Sequence, residues 1–202
     1  MQTNFEFLHR MRIGAIGLSM LAFTLALSPT PSLAAATIWH LEITHDNRTY
    51  LAAFDVLLAA NAASSRELLS DYRQWRRLSD TLSESQLLRT FPDGRQRIRL
   101  RFHACVLIFC KTYQQVKDVV VRPNGDIVTT IVPEGSDFAS GWERWQIRAE
   151  QNKTRIQYHA VLVPAFRVPP LVGPWILKST LRRKLIVTAQ KLETLAKPVT
   201  AK

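Results

Sequence analysis

The sequence predicts an α+β domain in which a run of antiparallel strands is covered by one long C-terminal helix. Three observations carry this. Residues 95–103 alternate almost without exception, with Arg95, Arg97, Arg99, Arg101 and His103 on one face and Ile98, Leu100 and Phe102 on the other. That contrast marks a half-buried antiparallel strand. Further strand-like segments follow, separated by turn clusters such as Pro92-Asp-Gly94 and Pro123-Asn-Gly-Asp126. Finally, Leu181, Leu185, Ala189, Leu192 and Leu195 recur at helical spacing near the end of the chain.

The elements follow in order. Residues 1–36 read as a secretory signal peptide: Arg10 and Arg12 precede an apolar run over 13–27, and small residues lead out through Ala34 and Ala36. Either alanine suits cleavage. The run is shorter than the roughly 20 residues a spanning helix needs. A single domain over 37–202 then begins with alternating segments at 38–43, with Trp39, Leu41 and Ile43 on one face, and at 49–59. Asn61 to Ser65 offer caps for a short basic helical stretch through Glu67, Leu68, Leu69, Tyr72, Trp75 and Leu78. Strands are expected over 82–91, 95–103, 112–122, 127–132, 142–148 and 154–163. A loop over 164–170 leads to a helix over 171–196, about 26 residues or ~39 Å. Pro170 and Pro174 suit its first turn and Pro198 its end.

Charge narrows the function classes. The chain carries 27 Lys+Arg against 16 Asp+Glu, a formal +11. Removing Arg10, Arg12 and Glu6 with the leader lowers this only to +10, so the basicity belongs to the domain. A periplasmic or secreted protein does not meet nucleic acid as its default anion, and a lipid headgroup takes that place. The arginine ladder Arg95, Arg97, Arg99 and Arg101 therefore reads either as a solvated strand face or as a contact for an anionic membrane surface.

The element order, Leu69-Ser-Asp-Tyr72, Ser136-Asp-Phe-Ala-Ser-Gly-Trp-Glu-Arg-Trp145, Thr154-Arg-Ile-Gln-Tyr158, and the proline-rich loop with its following helix resemble the START-related helix-grip superfamily (SRPBCC). The similarity is strongest to its polyketide cyclase/dehydrase and coenzyme-Q-binding branches and spans roughly residues 49–197. It implies a curved antiparallel sheet wrapped around the C-terminal helix, with a short helical segment after the first long strand. It also implies a cavity for a lipid or other hydrophobe beneath that helix, and catalysis in some branches.

Candidate ligand-binding residues are Trp142, Trp145, Ile147, Ile156, Tyr158, Phe166, Trp175, Leu181 and Leu185. Tryptophan and tyrosine give large apolar area with one polar edge, which suits a hydrophobe with a polar end. Phe166 and Trp175 flank the loop expected to border the cavity mouth. No catalytic set is recognisable. Glu143, which shares a strand face with Trp145 and Ile147, is the one candidate base, and pairing with a neighbouring arginine is its structural alternative. The histidines are scattered, so neither a metal nor another cofactor is expected.

Cys105 and Cys110 would lie about 16 Å apart and on opposite faces of one straight strand, too far to bond. If residues 106–109 turn between consecutive strands, the two cysteines face each other. In an oxidising compartment a disulfide is then expected, with buried free thiols as the alternative. The functional expectation is an exported carrier for a lipid, quinone or polyketide-like molecule. The alternatives are a cyclase/dehydrase-type enzyme working in the same cavity, and an envelope interaction protein whose interior is filled by side chains.

Overall fold

The computed structural model describes residues 36–106, 109–168 and 173–196. Its strands are β1 (Thr37–Asp46), β2 (Thr49–Leu58), β3 (Leu82–Thr90), β4 (Gln96–Val106), β5 (Phe109–Val121), β6 (Ile127–Val132), β7 (Phe138–Glu150) and β8 (Lys153–Pro164). Helices α1 (Ala62–Ser70) and α2 (Trp75–Leu78) lie between β2 and β3, and α3 (Gly173–Leu195) follows β8. The strands form one curved antiparallel sheet in the order β1-β2-β8-β7-β6-β5-β4-β3. This is the α+β arrangement expected from the sequence. The proposed leader over 1–36 lies outside the described residues except for Ala36, as do residues 107–108, Pro170 and Pro198.

Local chemistry explains the joints. The β3–β4 and β5–β6 turns share one pattern, an X-Pro-Asx-Gly segment in which glycine takes a left-handed conformation (Gly94 φ 82°, Gly125 φ 80°). The amides of Gly94 and Gly125 donate to the carbonyls of Phe91 and Arg122, closing each turn. Asn61 caps α1, its Oδ1 accepting from the amides of Ala63 and Ser64. The helical stretch predicted through Leu78 is broken at Asp71. Its carboxylate accepts from the Arg73 amide and guanidinium and from Gln74, an alternative to continuing the helix. A 3₁₀ turn (Tyr72–Gln74) and α2 result.

Trp39 also departs from expectation. The β1–β2 register shifts between Ile38 and His40, so Trp39 leaves the face of Leu41 and Ile43. It is exposed and stacks against the Arg155 guanidinium at 4.5 Å.

The concave face of the sheet carries the core. Phe54, Val56, Leu58, Ile98, Leu100, Ile147 and Ile156 are buried there with Leu68 and Leu69 of α1. Leu185, Ala189 and Leu192 bring the C-terminal half of α3 onto this core, burial worth roughly 1.5–3 kcal/mol for each leucine. The closest backbone neighbours of α3 are β1, β2 and α2. The helix is thus anchored toward one side of the sheet and at its C-terminal half. Its N-terminal half has few close backbone neighbours on the other strands, and Leu177 and Leu181 bridge the separation to Phe138 and Leu162.

Candidate functional site

That separation leaves a cavity of about 790 Å³, within the range of small-molecule sites. Ile176, Leu177, Thr180, Leu181, Lys184 and Leu185 of α3 form its roof. Phe102, Phe138, Trp145, Tyr158 and Leu162 on β4, β7 and β8 form its apolar walls. Leu69, Trp75, Leu78 and Leu82 close one end.

Phe166, Val168 and Tyr113 of β5 also line the cavity, together with the exposed Arg167 and Lys111. The Phe166 ring lies 4.7 Å from Tyr113 and meets Phe138 edge-on at 5.9 Å. A second cavity, about 500 Å³, adjoins the first across Tyr50, Phe166, Arg167 and Val168.

Polar groups are gathered on three neighbouring strands. Lys117 of β5 donates to both carboxylate oxygens of Glu143 on β7, each at 2.7 Å, and Thr129 of β6 donates to Glu143 Oε2 at 3.0 Å. All three are buried. Burial, then the charge of Glu143 and a hydrogen bond to it, pushes the Tyr158 phenol well above its ordinary range. The Glu143 carboxylate is therefore fully engaged, as a buried charge must be.

Lys184 stands opposite on α3, its Nζ 3.8 Å from the centre of the Phe102 ring. Burial lowers its ammonium pKa to about 8, with nearby Lys117 adding to the fall and Glu143 opposing it.

No protein-family model matches the chain, and no curated protein is significantly similar to it. Solved structures do match. A START superfamily protein from Mycobacterium smegmatis superposes with a TM-score of 0.57 at 20% identity, over 71% of this chain and 94% of that one. The Zhui aromatase/cyclase from Streptomyces sp. R1128 gives 0.60 at 15%, over 72% and 92%. A STAR-related lipid transfer protein from Xanthomonas axonopodis gives 0.54 at 16%, over 76% and 97%. The chain has the START-like helix-grip fold. At these identities the likeness establishes the fold, and it agrees with the resemblance drawn from residue order.

Within this START-like frame the sequence candidates separate. Trp145, Tyr158, Phe166, Leu181 and Leu185 line the cavity together. Trp142 does not. It alternates with Glu143 and Trp145, so it faces outward and is 43% exposed. Trp175 is 72% exposed on the outer side of α3. Ile147 and Ile156 are paired across β7 and β8 on the inward face, but α1 and α3 pack over them and they belong to solid core.

Glu143 lines the cavity, and its partner is Lys117 rather than the arginine anticipated. Asp55 and Asp118 lie on the outer face. Asp55 pairs with Arg155, and Asp118 with Arg95 and Arg97. Each carboxyl is held below its usual range, first by its hydrogen bond to Arg155 or Arg97 respectively.

The arginine ladder does lie on the outer face, yet it is largely paired. Arg99 and Arg101 share Glu84 while Arg95 and Arg97 share Asp118. The cysteine hairpin is formed, with Cys105 opposite Cys110 in the β4–β5 ladder. Among the described residues no three His, Cys, Asp or Glu side chains gather as a metal site.

Lys117, Thr129 and Lys184 are polar residues of the site absent from the sequence candidates. A lysine inside a strand and a lysine in a basic helix both read as solvated unless register and helical phase place them inward.

Proposed function

We propose that the protein binds a hydrophobic small molecule in the cavity beneath α3 and acts as its carrier or sequestering protein. The observation that carries this reading is the mainly apolar cavity of about 790 Å³ with a buried polar cluster on one wall. Structural neighbours described as a lipid transfer protein and an aromatase/cyclase support a hydrophobic-ligand fold. A lipid, a quinone and a polyketide-like compound all match the cavity's character. Binding is favoured over base catalysis because Glu143 already accepts from Lys117 and Thr129. A general base needs a free lone pair within reach of its substrate.

Titration with the neutral fluorophore N-phenyl-1-naphthylamine tests the reading. Saturable uptake of one probe per chain, lost when Leu181→Trp fills the cavity, is the expected result. Absence of saturable uptake by the unsubstituted protein would remove the reading.

The proposal includes export. The leader over 1–36 directs the chain to the periplasm or outside the cell, and Cys105 and Cys110 are bonded there. Directly opposed residues in an antiparallel ladder have Cα atoms about 4.5–5.5 Å apart, inside the range a disulfide bridges. Peripheral contact with an anionic membrane through Arg95, Arg97, Arg99 and Arg101 rests on the charge left over after Asp93, Asp118 and Glu84. It predicts vesicle binding that falls with added salt.

A further inference from the structure

The charge balance inside the cavity narrows the ligand. Its described lining holds four cationic side chains, Lys111, Lys117, Arg167 and Lys184, against a single carboxylate, Glu143. Lys117 takes both oxygens of that carboxylate. Among the described residues no carboxylate comes within ion-pair distance of Lys184, whose charge rests against the Phe102 ring. An ammonium left in an apolar, poorly hydrated space is costly until an anion joins it. Lys111 and Arg167, which line the cavity and are exposed to solvent, add a field that favours an anion.

We propose that the ligand is a long-chain monocarboxylate whose carboxylate pairs with Lys184 while its chain lies along Leu162, Leu177 and Leu181. This rests on the carrier reading above and deepens it. One uncompensated ammonium matches one negative charge. Lys111 and Arg167 are not among the charges acting on Lys184, so a phosphate dianion beside it would meet one unpaired ammonium and the Glu143 carboxylate. The volume accommodates one small amphiphile, and the apolar wall from Phe138 to Leu181 offers the chain a continuous surface. A charge-assisted bond made inside such a cavity is worth about tenfold or more in affinity over a neutral group in its place.

The test is isothermal titration of the purified full chain with dodecanoate, dodecan-1-ol and dodecyl phosphate, three probes with equal chains. Dodecanoate is expected to bind at least about tenfold more tightly than the alcohol. Lys184→Met should abolish that preference while leaving alcohol binding intact, and Lys184→Arg should retain it.

Equal binding of acid and alcohol would overturn the proposal while leaving the carrier reading in place. So would tighter binding of dodecyl phosphate than of dodecanoate, or a preference for the acid that survives in Lys184→Met. Binding of none of the three probes would remove the carrier reading and this assignment with it. The comparison of probes on the unsubstituted protein stands even if a variant fails to fold.

Discussion

Replacing Lys184 with methionine should make the empty protein more stable. Methionine keeps the length and apolar stem of the side chain and removes the charge that the cavity wall does not pair. In the unfolded chain Lys184 has its ordinary pKa of 10.5, and in the folded chain about 8. The unfolded state therefore binds more protons between these values, and wild-type stability rises with pH across that window. Below pH 8 the full penalty applies. A difference of two to three units corresponds to about 3 kcal/mol, a ceiling that water entering through the mouth reduces to about 1–3 kcal/mol.

Urea unfolding of both proteins at pH 7 and pH 10 measures this. The variant should gain about 1–3 kcal/mol at pH 7, and more than half of that gain should disappear at pH 10, where the folded wild-type lysine is already neutral and so no longer carries the buried charge. Lys117 on β5 and Glu143 on β7 are the charged groups that act on Lys184, and both remain in the variant. A variant equal to or less stable than wild type at pH 7 would refute the reasoning. It would mean that the Phe102 contact or local water fully compensates the ammonium.

Three further outcomes are expected. Glu143→Gln strands the buried Lys117 ammonium and should cost about 3–5 kcal/mol, whereas the double variant Lys117→Met/Glu143→Leu should lie close to wild type in urea unfolding. Asp126 is fully buried between Arg144 and Arg148, and despite its burial those guanidiniums hold its pKa below the usual value. Its contribution is present above the unfolded value and lost as pH falls through the folded one. Asp126→Asn should therefore lower stability at pH 7 by about 2 kcal/mol and flatten the acid limb below pH 4. Native protein treated with iodoacetamide should gain no label until a reductant is added, and alkylation of two thiols without reductant would exclude the proposed disulfide.

Much of the fold was legible because its periodicities are clean. The alternation over 95–103 set which face of β4 is buried, and Ile98 and Leu100 are fully buried as that pattern required. Trp39 was misplaced because a register shift reverses the alternation, and no residue type in β1 announces one.

The site was legible in face and less so in depth. Period two identifies Ile147 and Ile156 as inward, but it does not say where along β7 and β8 the cavity ends and solid core begins. The parity that places Glu143 and Trp145 inward places Trp142 outward, a stronger signal than aromatic clustering.

Lys117 was also within reach. Once Cys105 is set opposite Cys110, counting back along the hairpin puts Ile98 opposite Lys117 and Arg97 opposite Asp118. Ile98 is inward, so Lys117 must be, while Asp118 joins the arginines outside. Lys184 follows Leu181 by three residues and therefore shares its helix face. What no pattern conveyed was how far α3 stands off the sheet. That distance arises from where its C-terminal half is anchored, by contacts far apart in sequence.

Native mass spectrometry of the protein isolated from its own cell measures the occupancy of the cavity directly. The account predicts one hydrophobic molecule per chain, released unmodified on activation and absent from Leu181→Trp. A protein that stays ligand-free from that source and after incubation with neutral and acidic amphiphiles would contradict it, and the cavity would then be a packing feature of the fold.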